Sequence, residues 1–261
     1  MLEFLFIFAV CFAASTVGGI CGIGGGVVIK PLLDATGIMS VSTLSFLSGL
    51  TVLAMACVNV YKSRKSKELD TRRSIPLGLG AAAGGVLGKY LFDLIKRSVG
   101  NDRLVGGIQA IVLGLMVLGT LLYVLNKARI TTKNIKSTPA AALIGLALGI
   151  ASSFLGIGGG PMNLAVLYYF FSMDTKKAAI NSILVILLSQ VASLLFSVGS
   201  GTVPEFGWGQ LMCMVSAGVL GGFLSSILHR KLDAKLTDRL FTGLLCVILL
   251  ICAYNAWRFL G

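Results

Sequence analysis

The sequence predicts an all-α, polytopic membrane protein made of two homologous repeats of inverted topology, each a glycine-turn hairpin plus three transmembrane helices. Three observations carry this. The 261 residues are 56% hydrophobic and only 12% charged, with a mean hydropathy of +0.92, whereas soluble domains carry about 25% charged residues. Apolar runs near the roughly 20 residues a helix needs to cross hydrocarbon recur along the chain. Finally, Gly22-Ile-Gly-Gly-Gly26 returns as Gly156-Ile-Gly-Gly-Gly160, and a glycine loop duplicated within apolar sequence marks a transporter assembled from two copies of one unit. The runs are continuous instead of alternating, which excludes a β-barrel.

In chain order, the first run covers residues 4–22. Glu3 precedes it, no Lys or Arg does, and it matches an internal segment; it is therefore read as a retained helix and not a cleaved leader. The first glycine loop must break that helix, and a short helix over 27–36 follows. Residues 41–61 form the next span, ending in a loop with Lys62, Arg64, Lys65, Lys67, Arg72 and Arg73. Span 75–94 contains Gly84-x-x-x-Gly88, a spacing that lets helices approach closely. Span 104–125 completes the first copy, and a basic linker over 127–137 leads to the second. There the spans are 140–155, 178–198, 208–228 and 240–259, with a short helix at 161–171 after the second glycine loop.

The repeat extends past the loops. At the same offset Ser48 matches Ser182, Gly84 matches Gly218 and Gly88 matches Gly222; two residues later in register, Asp102-Arg-Leu104 matches Asp238-Arg-Leu240. The copies are residues 1–126 and 138–261. Loop charge orients them. The loop carrying Lys62 to Arg73 should be cytoplasmic, yet its counterpart over 199–207 has no basic residue. Conversely, Lys176 and Lys177 mark an inside loop whose counterpart over 39–41 is uncharged. Lys127, Arg129, Lys133 and Lys136 place the linker inside, and Arg230, Lys231 and Lys235 lie inside opposite the weaker outside set Lys96, Arg97 and Arg103. The copies thus face opposite ways, which requires each hairpin to enter and leave on one side. Four crossings per copy in parallel is the competing topology.

A glycine turn inside a membrane must be buried in protein or line a polar cavity. Glycine allows positive φ and leaves amides unshielded. A helix starting directly after the turn aims its first amides and dipole at the turn, an arrangement suited to anions. Candidate substrate-binding residues are therefore Gly22, Gly24, Gly25 and Gly26, with Gly156, Gly158, Gly159 and Gly160. Ser15, Thr16, Ser152 and Ser153 precede the turns, Lys30 and Asn163 follow them, and Ser48, Ser182 and Asn181 stand on the next helices. Each has a structural alternative: helix crossing for the glycines, local capping for the hydroxyls, snorkelling for Lys30 and helix-packing glue for Asn181 and Gln190.

Other chemistries lack their residues. No Gly-Lys-Ser/Thr follows either glycine loop, and no HExxH, GxSxG or intramembrane carboxylate pair occurs, so neither nucleotide binding nor catalysis is expected. The six cysteines have no CxxC spacing and the one histidine, His229, lies at a helix end, so no metal or cofactor is expected. The net charge of +12 sits in short loops, as a membrane protein requires, and does not indicate nucleic acid.

At Gly22–Gly26, followed by Pro31 and Leu32, and again at Gly156–Gly160, the chain resembles the sulfite exporter TauE/SafE family of membrane permeases, over essentially its whole length. The resemblance implies movement of a sulfur oxyanion, such as sulfite or an organosulfonate like sulfoacetate, across the cytoplasmic membrane, with the glycine turns at the substrate site. Symmetry is incomplete: Pro31 has Ala165 as counterpart, and Val27 has Pro161. The expected partners are a small anionic solute and the lipid bilayer, with a homodimer left open. All ten acids lie in loops or near helix ends, which points to export that is uncoupled or weakly coupled and driven by membrane potential and gradient. The alternative is a non-transporting scaffold subunit of a membrane complex; a cation or amine carrier would want buried acids.

Overall fold

A computed structural model of the chain describes residues 2–155, 157 and 160–260; Gly156, Gly158 and Gly159 of the second glycine loop lie outside them. Each apolar run becomes a helix. The first copy contains α1 (Leu2–Cys21), α2 (Gly26–Asp34), α3 (Val41–Ser63), α4 (Thr71–Val99) and α5 (Asp102–Asn126). The second contains α6 (Thr138–Phe154), α7 (Pro161–Phe171), α8 (Thr175–Gly199), α9 (Trp208–Lys231) and α10 (Ala234–Leu260). Among the described residues, seven helices are long and apolar enough to cross a membrane, and α6 and α7 are shorter apolar helices. The chain is an all-helical, multi-pass membrane protein. Leu79, Leu115, Leu122, Leu195 and Leu250 are exposed on its flanks, where hydrocarbon and not water is the neighbour.

Polar residues set the helix ends. Ser40, Asp70, Asn101 and Asp174 each accept a backbone N–H in the first turn of the helix they precede. The first glycine turn closes α1: Gly22 has φ +77, and Ile23 N–H donates to the Gly18 carbonyl at 3.0 Å. This is the left-handed helix stop that glycine adopts at least cost, with a buried apolar residue just after it. The second copy repeats the bond, Ile157 N–H to the Ser152 carbonyl at 3.2 Å. Ile157 and Ser152 stand 134 residues after Ile23 and Gly18, so the two bonds fall at matched sequence positions.

The two halves of the chain interlock. The first helix of each packs along the fourth helix of the other, α1 on α9 and α6 on α4, while α3 meets α8 and α5 meets α10. The α4–α6 contact needs glycine: a Cβ on Gly84 or Gly88 would sit 2.1 or 2.3 Å from the Leu146 or Ile150 carbonyl oxygen. The matched Gly218 and Gly222 of α9 lie as closely on α3, where a Cβ would meet the carbonyls of Thr51 and Met55 at 2.6 and 2.9 Å. Both Gly-x-x-x-Gly pairs therefore serve close helix packing.

Basic segments gather at one end of the bundle. Arg230 donates to the Lys62 carbonyl, Arg73 to the Phe171 carbonyl, and Lys127 pairs with Asp238 at 2.6 Å. Asn181 ties this end together: it donates to the Glu68 and Lys177 carbonyls and accepts from Asp70 N–H and Ser74 Oγ. At the opposite end Thr43 donates to the Glu205 carbonyl, Lys96 reaches Ser42, and Arg258 of α10 donates to the carbonyls of Asp34 and Ala35. The start of α1 lies at that end too, since Cys213 near the start of α9 donates to the Phe4 carbonyl. Both free ends of the α1–α2 hairpin therefore lie away from the basic segments.

Candidate functional site

The two glycine turns meet. A Cβ on Gly26 would stand 2.2 Å from the Ile157 carbonyl oxygen, and one on Gly22 would stand 2.3 Å from the Ala179 Cα. Gly22, Gly24, Gly25 and Gly26 are all buried in protein, and the amides of Val28 and Ile29 are spent on the Gly25 carbonyl. On the second side Gly160 caps α7, Pro161 has no N–H to offer, and Asn163 N–H bonds to the Gly160 carbonyl. Ser152, Gly160 and Asn163 come together around a cavity of about 10 Å³, enough for roughly one water. The first turn thus chiefly provides close packing, and a pocket reaches the second.

The hydroxyls divide in two. Thr16 bonds back to the Phe12 carbonyl at 2.8 Å, and Ser48 donates to the Ser45 carbonyl at 3.2 Å. Ser15, Ser153 and Ser182, with Ser45 and Ser189, keep buried oxygens that have no hydrogen-bond partner. A buried hydroxyl left unpaired costs about 1–3 kcal/mol, so Ser45 and Ser153, which line one cavity, call for an occupant or water there. Ser153 and Ser189 face each other across Gly85, whose Cβ position lies 3.3 and 3.1 Å from their oxygens.

Ser153 opens onto a cavity with several polar side chains in its lining. It measures about 40 Å³ and is lined by Ser45 and Gly49 of α3, Lys89 and Phe92 of α4, Ser153 of α6, and Gln190, Ser193 and Ser197 of α8. Lys89 is 9% exposed. Its ammonium reaches Asp93 only at 3.9 Å and lies 5.0 Å from the centre of the Phe92 ring. A cation, a primary amide and several hydroxyls around a space of roughly three waters suit a small oxyanion. Four helices contribute, two from each half of the chain.

Of the candidate residues, Ser153 lines this cavity, whereas Lys30 and Asn181 are engaged elsewhere. Lys30 is buried, pairs with Asp34 at 2.8 Å and donates to Gln109 of α5 at 2.9 Å; its charge is already spent fastening α2. Asn181 uses its amide at the basic end. Asp34, expected merely near a helix end, is that end but is only 6% exposed. Conversely, sequence reasoning passed over Lys89, although a lysine deep in the 75–94 run is a functional signal by itself. It also left Ser45, Ser189 and Ser193 out, since nothing in the sequence separates them from other helix serines.

A model of the family described as sulfite exporter TauE/SafE matches residues 7–251. The chain is 25% identical to the probable membrane transporter protein YunE of Bacillus subtilis (strain 168), over 90% of this chain and 91% of that one. It is also 25% identical to a probable membrane transporter protein of Xylella fastidiosa (strain 9a5c), over 92% and 90% respectively. No solved structure matches. A family model spanning nearly the whole chain, full-length transporter relatives and an interlocked helical bundle agree: the chain belongs to the sulfite exporter TauE/SafE family of membrane transporters.

Proposed function

We propose that the protein exports a small sulfur-containing oxyanion, sulfite or an organosulfonate, across the cytoplasmic membrane. The observation that carries this reading is the cavity in which Lys89 and unpartnered serine hydroxyls converge. The basic end lies in the cytoplasm by the positive-inside rule, so the cavity belongs to the outer half of the bundle. Placing both free ends of the α1–α2 hairpin at the opposite end supports two copies of inverted topology, over residues 1–126 and 138–261 with the linker 127–137 inside.

Comparing matched positions supports alternation between the two halves. The counterparts of Lys89, Ser153 and Ser193 are Phe223, Gly19 and Asn59. On that inner side Ser225 donates to Asn59 at 3.1 Å, and a Cβ on Gly19 would meet Ser225 Oγ at 2.3 Å. Around Gly19 and Asn59 the helices α1, α3 and α9 are in close contact. A polar cavity on the outer side, set against close contacts at the matched inner positions, supports a carrier whose two sides alternate by rocking of the copies about the glycine turns.

The test is flux in proteoliposomes loaded with sulfite, sulfoacetate, thiosulfate or acetate, with the potential clamped. Sulfur oxyanions should leave faster than acetate, in the direction set by potential and gradient. Efflux no faster than from protein-free vesicles for every anion, with the protein inserted, would leave the scaffold reading in its place.

A further inference from the structure

A second polar space lies at the basic end, away from the Lys89 cavity. It is about 410 Å³, lined by Asp70, Arg72, Arg73 and Pro76 at the start of α4, by Ile135 to Ser137 of the linker, by Thr138 and Ala141 of α6, and by Phe171 at the end of α7. Its size falls within the range of small-ligand clefts. It is blind inward: beyond Ala141 the α4–α6 contact closes, with the Cβ position of Gly145 only 2.0 Å from the Leu77 carbonyl oxygen. It is therefore no part of a path through the bundle.

Its charge is one-sided. Asp70 accepts Arg73 N–H and lies 3.7 Å from Arg73 Nε and 3.5 Å from Lys177 Nζ, so its carboxylate is satisfied. Arg73 is anchored further on the Phe171 carbonyl. Arg72 and Lys136, both exposed, add two cations with no further acid lining the space. The start of α6 points the same way: Ser137 precedes it without making a side-chain cap bond, leaving its hydroxyl and that of Thr138 at the rim. A fork-shaped guanidinium, an ammonium, hydroxyls and the positive end of a helix together match a phosphate group. The sequence counterpart of this place, around residues 205–209 at the start of α9, has no basic residue, so the feature is not a by-product of the repeat.

We propose that this crevice is a second anion site, which takes a phosphate group presented at the inner membrane surface. The phosphate comes either from an anionic phospholipid headgroup or from a soluble phosphate ester; basic pockets between helices on the cytoplasmic side bind headgroups of this kind. Occupancy ties together the linker, α4 and α6, the elements that join the two copies.

The experiment uses the purified full chain in neutral detergent. Its unfolding temperature is measured with added phosphatidylglycerol, with phosphatidylcholine as control, and with ADP as the soluble phosphate. The wild type should be stabilised by phosphatidylglycerol or by ADP, and Arg72→Gln/Lys136→Gln, which changes two exposed side chains, should lose that upshift, equivalent to about a tenfold or greater weakening of binding. Lys89→Gln should retain it, which separates this site from the transport cavity. An upshift with phosphatidylglycerol alone identifies the lipid source, and one with ADP identifies the soluble source. No upshift over the control in either arm, or one that survives in the double variant, would overturn the proposal.

Discussion

Replacing Lys89 by glutamine removes the one cation lining the outer cavity while keeping most of the side-chain volume. A charged hydrogen bond contributes about 1.5–3 kcal/mol, and each 1.4 kcal/mol is tenfold, so the apparent affinity for sulfite should fall by roughly tenfold to somewhat over a hundredfold. Asp93, 3.9 Å away and 19% exposed, weakens the lysine's field. Asp93→Asn should then do the reverse and tighten binding a few-fold, because a partial counter-charge is removed from the site. Lys89→Arg should keep most of the affinity. The assay is concentration-dependent efflux from proteoliposomes of matched insertion, read as KM and maximal rate for each variant. If Lys89→Gln left KM within twofold of the wild type at equal insertion, the cavity would not be the anion site. A fall in maximal rate at unchanged KM would point to a positioning or gating role instead.

Gly26→Ala should unfold well below the wild type, since its Cβ would lie 2.2 Å from the Ile157 carbonyl oxygen and overpacking costs about 1–3 kcal/mol; Gly119→Ala, with nothing within 4 Å of its Cβ, should match or exceed wild-type stability, and equal melting of the two would contradict the packing described. Lys30→Met alone should destabilise by about 3–5 kcal/mol, because it strands Asp34 in a buried place, whereas Lys30→Met/Asp34→Leu should recover much of the loss; thermal unfolding reads both, and sulfite efflux in the double variant should persist if Lys30 is structural. For topology, Lys65→Cys and Thr202→Cys in a background lacking native cysteines should react with an impermeant thiol reagent from opposite faces, and labelling from one face would favour parallel repeats.

Much of the fold was legible because membrane helices announce themselves by length and apolarity. Residues 41–61, 104–125 and 208–228 lie inside α3, α5 and α9, and the short helix expected at 161–171 coincides with α7. Helix starts were less visible: α4 begins at Thr71, in the midst of basic residues, because Asp70 caps it. The site was harder. Ser152, Gly160 and Asn163 do gather, and Ser153 reaches the larger cavity, since they flank a turn whose position the sequence marks. Lys30 followed the same logic yet points elsewhere, because four residues on stands Asp34 and one helix turn brings the two together. Which face of a helix meets which neighbour depends on how the copies interlock, and no single-chain pattern encodes that.

The two copies have diverged where the proposed mechanism needs them to differ. A lysine in both half-sites would hold an anion with similar strength on either side, and a bound anion would gain little by moving between them. With Lys89 opposed by Phe223, and Ser153 opposed by Gly19, only the outer half-site carries charge and a hydroxyl at these positions. The interior-negative potential assists an anion outward by about 2.3 kcal/mol per charge per 100 mV. The buried Lys30–Asp34 pair, opposite charges at 2.8 Å, brings no net charge into that field. In the proposed carrier, with Lys30 neutralised by Asp34, the directional bias would come from the charge of the cargo, and no proton would be needed to reset it.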